Sequence, residues 1–135
     1  MSHPVVHVSA AVVTDADGRA LVVRKHGAEV FQQPGGKPDP GESALDAVVR
    51  EVREETGIVA EAGSFVPLGR FTDAAANEPG HVVVADAFAL RLSDGRAVAG
   101  AEIAELRWLT PDDVDATPLA PLSRNQLLAL AWRER

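Results

Sequence analysis

From Ser43 onward the apolar positions recur at helical spacing, with Leu45, Val48, Val49 and Val52 at i, i+3, i+4 and i+7 and hence on one face. Both ends of this helix are marked. Pro40-Gly41 forms a turn ahead of it, Ser43 followed by Asp46 resembles a capping box, and Gly57 offers the left-handed backbone that ends a helix. Elsewhere the apolar residues come in short runs that predict strands. Val5–Val13 ends at the turn formers Thr14-Asp15-Ala16-Asp17-Gly18, and Ala20–Lys25 follows, so the two predict a hairpin with a loop longer than two residues. Phe31-Gln32-Gln33 adds an extended piece before Pro34. Phe65–Phe71 and His81–Leu92 are predicted strands flanking an exposed loop, Asp73–Gly80, and Leu106–Leu109 is a further short strand. Pro111–Val114 predicts a single helical turn, and Ser123–Arg133 a last helix capped by Ser123. Strands, helix, strands, helix is the order of an α/β fold, and the expectation is a three-layer α/β/α sandwich with a mixed sheet.

Composition narrows this picture. The 135 residues fit one domain, 1–135, and 46% apolar with 24% charged residues belongs to a globular chain. With no cysteine there is no disulfide framework, thiolate metal site or cysteine nucleophile. The start MSHPVVHVSAAVV lacks a basic, then apolar, leader, and no eighteen apolar residues run together, so the expectation is a cytoplasmic protein without a membrane partner. A net charge of -7 disfavours polymeric nucleic acid as a partner. The same charge would repel a small phosphate substrate unless a cation intervened.

At 100° per residue, Glu51, Glu54 and Glu55 share a helix face roughly 115° from the centre of the apolar stripe, while Asp46, Arg50 and Arg53 project from the remaining side. Like charges at such spacings cost a helix about 0.2–0.5 kcal/mol per pair. A hard divalent cation with oxygen ligands offsets that repulsion, and so, less specifically, does a solvated acidic face with Arg50 paired to Glu54.

The segment from Gly36, GKPDPGESALDAVVREVREETGI, decides between them. It resembles the Nudix box at every fixed position: Gly36, Glu42, Arg50, Glu51, Val52, Glu54, Glu55, Gly57 and Ile58. The resemblance implies a Nudix-like fold and a Mg²⁺-dependent pyrophosphohydrolase, with Mn²⁺ as a substitute, that cuts a phosphoanhydride bond in a nucleoside diphosphate linked to another group. It implies Glu51, Glu54 and Glu55 as metal ligands, the Gly35 carbonyl as an additional one, and Arg50 as the residue that orients a carboxylate. Glu42 is either a structural tie or a support to the ligands. Glu51 or Glu54 is the expected general base. Glu102, six residues before Trp108, is the candidate for a downstream acidic ligand, ahead of Glu105; surface charge is the other reading of both.

Around this centre the candidates thin out. Lys37 and Arg24-Lys25 are candidate contacts to substrate phosphates. His3, His7, His26 and His81 show no ligand spacing. Phe31, Phe71, Phe88 and Trp108 are expected in the core, and Asn125 and Ser123 are candidates for a nucleobase contact. The chain has no tyrosine, which argues against a dinucleoside polyphosphate, and Pro67 lies nearer the box than the proline associated with ADP-ribose pyrophosphatases. A nucleoside di- or triphosphate, oxidised ones included, is the leading substrate class and a nucleotide sugar the second. A homodimer is the expected assembly, and a nucleotide-binding regulatory module without turnover is the alternative function.

Overall fold

The computed structural model describes residues 3–133. Strands β1 (Val5–Thr14), β2 (Ala20–Lys25), β3 (Gly35–Gly36), β4 (Val66–Ala74), β5 (Val82–Arg91) and β6 (Ile103–Leu109) form one sheet in the order β4-β5-β1-β2-β6, with β3 paired to β1. β1 and β5 run parallel over ten residue pairs and the other pairings are antiparallel, so the sheet is mixed as expected.

Alternation along β1 explains its unbroken apolar run 10–13. Ala11 and Val13, with Leu21 of β2 and Phe88 and Leu90 of β5, pack under helix α1 (Ala44–Thr56) through Val48 and Val52. Ala10 and Val12, with Val22, Ala85 and Ala87, pack on the opposite face under Leu122, Leu127, Leu128 and Ala131 of the last helical segment. Both faces of the central strands are therefore covered, and a stretch buried on both sides favours apolar residues at successive positions. The result is the expected three-layer sandwich.

Local chemistry sets the element ends. Ser43 accepts from the Asp46 N–H at 3.0 Å and Gly57, at φ 72°, donates its N–H to the Arg53 carbonyl, closing α1 at both ends. Ser43→Ala is expected to lower stability by about 1 kcal/mol, the usual cost of an N-cap, read as a shifted denaturant midpoint with unchanged slope. Buried Asp15 holds the turn after β1 by accepting from Asp17 N, Arg19 N and Arg19 Nε at 2.8–3.0 Å.

Three expectations are corrected. β1 and β2 share only the pair Thr14↔Ala20, because residues 31–36 wedge between them: Gln32 bridges to Val23, Pro34 accepts from Ala11 N, and Gly35 pairs with Ala10. β6 begins at Ile103, three residues before the predicted start, beyond a bulge at Arg24/Lys25. Ser123 caps nothing: the chain is already helical at 121–122, Ser123–Leu127 is a π-helical turn, and α2 (Leu128–Ala131) completes the segment.

Candidate functional site

The wedge brings two glycines against α1. A Cβ on Gly35 would lie 2.0 Å from the Ser9 carbonyl oxygen of β1, and a Cβ on Gly36 would lie 2.7 Å from Glu51 Cδ. Only glycines admit strand and helix this closely. Gly35 donates its N–H to Glu55 Oε1 at 2.9 Å, while the other Glu55 oxygen is buried without a partner. Burial raises the Glu55 pKa from 4.5 to about 7, against the Gly35 hydrogen bond and the Lys25 charge, and Glu51 and Glu102 push it the same way as burial.

Arg50 ties the acidic residues together. Its Nε and Nη2 donate to the two Glu42 oxygens at 2.9 and 2.8 Å, and Nη1 reaches Glu51 Oε1 at 2.6 Å and Glu54 Oε2 at 3.3 Å. The helical wheel placed Arg50 away from the acidic face, but the length of its side chain lets it swing across, so positive and negative charges are not segregated. Glu42 also accepts from Asp39 N at 2.8 Å. The guanidinium holds its carboxyl down to about 2, and the arrangement makes Glu42 the tie between loop and helix.

A cavity of about 420 Å³ opens beside this junction. Gly35, Gly36, Lys37, Glu51, Lys25 and Glu102 line its charged portion. Glu102 arrives there because its carbonyl accepts from His26 N at 3.1 Å, and because Val98 N and Gly100 N donate to the Thr56 and Glu55 carbonyls at the end of α1. A Cβ on Gly100 would sit 1.9 Å from the Glu54 carbonyl oxygen. Gly100→Ala is thus expected to force this loop off the helix, costing about 1–3 kcal/mol and displacing Glu102. Thermal melting reads the first effect and turnover the second; an unshifted melting temperature would contradict the packing.

Other candidates lie elsewhere. Glu54 is more exposed than Glu51 and does not line the cavity, although Arg50 Nη1 joins the two carboxylates. Glu105 pairs with Arg107 at 2.9 Å and Arg24 at 3.6 Å, and Arg24 also donates to the Ala28 carbonyl, so neither faces the cavity. Asn125 donates to Asp73 Oδ2 at 2.9 Å rather than lining the wall. Phe31 and Phe88 are buried core residues, Phe71 and Trp108 pack against the core, and none of the four lines the cavity. Gln33, which no sequence signal singled out, does line it; only its place beside the box glycines could have drawn notice.

Among the described residues, no three acidic or histidine side chains already converge in metal-ligand geometry, since Arg50 spans Glu51 and Glu54. The donor chemistry nevertheless fits a hard divalent cation: carboxylates gather at one helix end, and the buried Glu55 oxygen is left without a partner.

A mixed-sheet sandwich that presses carboxylates and lysines onto one cavity wall has the makings of a hydrolase acting on acid anhydrides. The chain belongs to the Nudix family, whose sequence model, described as NUDIX domain, matches residues 3–130. It is similar to a Bacillus subtilis (strain 168) protein named "Putative 8-oxo-dGTP diphosphatase", at 33% identity over 101 residues, 74% of this chain and 63% of that one. The match therefore spans less than two thirds of that relative. A "MutT-like protein" of Streptomyces ambofaciens is 34% identical over 114 residues, 84% of this chain and 70% of its own. The crystal structure of a MutT NUDIX hydrolase from Burkholderia pseudomallei superposes with a TM-score of 0.74 at 26% identity, covering 92% of this chain and 96% of that one. No helix among the described residues is long and apolar enough to cross a membrane.

Proposed function

We propose that this Nudix hydrolase cuts a phosphoanhydride bond in a nucleoside diphosphate linked to another group, with nucleoside di- and triphosphates, oxidised ones included, as its leading substrate class. The observation that carries the reading is the contact of Glu51 and Glu55 with Gly35–Gly36 on a cavity wall that also presents Lys25, Lys37 and Glu102. Glu51, Glu54, Glu55, Glu102 and the Gly35 carbonyl are the groups that would hold Mg²⁺, or Mn²⁺ in its place. Bound there, the cation supplies charge neutralisation of the phosphate oxygens and acidification of water.

The chain's own residues do the rest. Lys37 and Lys25 draw the phosphates into the cavity and orient them. Arg50, anchored by its fork on Glu42, fixes Glu51 through Oε1 and leaves Oε2 to accept a proton from the attacking water. Glu51 suits this role better than Glu54 because it lines the cavity. Arg24, committed to Glu105, stays outside the phosphate-binding set.

The test is a panel of nucleoside triphosphates, oxidised dGTP, nucleotide sugars, ADP-ribose and dinucleoside polyphosphates, assayed for phosphate or pyrophosphate release with Mg²⁺ and with EDTA. Metal-dependent release from the triphosphates is expected. Nucleotide binding with no release from any member would instead support a regulatory module.

A further inference from the structure

The cavity has a second stretch of wall, apolar in composition, formed by Val6, Val8, Val83, Leu122 and Leu127. One polar pair interrupts it. Gln33, 4% exposed, and Ser123, 2% exposed, both line the cavity, and Ser123 Oγ donates to Gln33 Oε1. The amide oxygen is thereby committed, while Gln33 Nε2 is buried with no acceptor. A primary amide carries two N–H donors, and leaving them unmet in a dry site costs the amide its full desolvation penalty.

The backbone gives this pair little freedom. Gln33 lies in the wedge, between Gln32 bridged to Val23 and Pro34 bonded to Ala11 N. On the other side, the wide π-helical turn, in which Leu128 N donates to the Ser123 carbonyl, sets Ser123 and Leu127 together on the cavity wall. π-Turns of this kind recur where a helix must aim side chains at a ligand. Among the described residues no aromatic side chain lines the cavity, so aromatic stacking gives no selectivity there. Gln32, Asn77 and Glu78 also line the cavity but are half-buried or exposed, and Ser9 Oγ is committed to the Ala44 carbonyl, so the buried Gln33–Ser123 pair is the fixed hydrogen-bonding feature left to discriminate among bases.

We propose that Gln33, oriented by Ser123, is the specificity-determining residue of this site and presents an N–H donor to an exocyclic oxygen of the substrate's base. An oxo-base such as hypoxanthine, guanine or uracil meets the donor. A base with an amino group at the same position sets donor against donor and leaves Gln33 unpaired, the arrangement by which enzymes reject close analogues most strongly. This inference rests on the nucleotide reading above and deepens it.

Two matched pairs test it, because inosine and adenosine triphosphates, like uridine and cytidine triphosphates, differ in an oxo against an amino group. The wild type is expected to favour the oxo member of at least one pair by about tenfold or more in kcat/KM. Gln33→Met, similar in size without the donor, brings that ratio close to one. Gln33→Glu, which offers acceptors only once ionised, inverts it toward the amino base at a pH where that buried carboxyl has lost its proton. Ser123→Ala frees the amide to turn and lowers the ratio while leaving the variant folded. The same ratios are taken as calorimetric affinities in EDTA, where turnover plays no part. Selectivity in binding without hydrolysis would sink the hydrolase reading and sustain this one. Equal treatment of both members by the wild type in binding and turnover, or an unchanged ratio in folded Gln33→Met, overturns it.

Discussion

Glu51→Gln is expected to reduce turnover by about 10³-fold while leaving the melting temperature close to that of the wild type, the loss typical of removing a positioned general base. The glutamine keeps the shape that lies over Gly36 and keeps an oxygen for Arg50 Nη1, so the fold has no reason to fail. What disappears is the charge, and with it both proton acceptance and affinity for a cation. Glu105→Gln is the control: its carboxylate serves Arg24 and Arg107 and does not line the cavity, so its turnover should stay within about twofold of wild type, as for an ordinary surface ion pair. A Glu51→Gln protein retaining more than a tenth of the activity would remove Glu51 from the chemistry.

The second large effect is on stability, and its sign depends on pH. Burial holds the Glu55 pKa at about 7, above the 4.5 of an ordinary glutamate. The folded state therefore prefers the neutral carboxyl, so this contribution is complete below pH 4.5 and is lost as pH rises through 7. The difference amounts to about 3 kcal/mol. Without divalent metal, Glu55→Gln, whose amide keeps an acceptor for Gly35 N–H, is expected to match the wild type near pH 4 and to exceed it in stability at pH 8. Mg²⁺ reverses the order at pH 8, because a cation that prefers the folded, ionised form stabilises only the wild type. Denaturant melts of both proteins across this range, with and without Mg²⁺, read the effect. Parallel pH profiles would show that Glu55 is not held in this state.

What the sequence made legible was what local rules control. The helix over Ala44–Thr56 announces itself through period and caps, and the strand runs through their valines. Most of the site travels with that helix, so Glu51, Glu55 and Arg50 came together once the box was recognised. The wedge did not, because Gly35-Gly36 has no apolar pattern and owes its strand character to β1 alone. Gln33 was invisible for the same reason: a polar residue beside a proline gives no sign that two neighbouring strands will bury it. Arg24 and Lys25 looked equivalent as a pair of cations, yet successive strand residues point to opposite faces, and only Lys25 reaches the cavity. Serine before a helix usually caps it, but here the helix starts earlier and the Ser123 hydroxyl goes to Gln33.

We propose the glutamates of α1, with Glu102, as a cation site serving the cavity. Titrating Mn²⁺ into the protein and following the free ion by electron paramagnetic resonance tests it most directly. Saturable Mn²⁺ binding by the wild type is expected, displaced by Mg²⁺ and lost in a Glu51→Gln/Glu55→Gln double variant that still melts cooperatively. Equal binding by wild type and variant, or none by either, would contradict it.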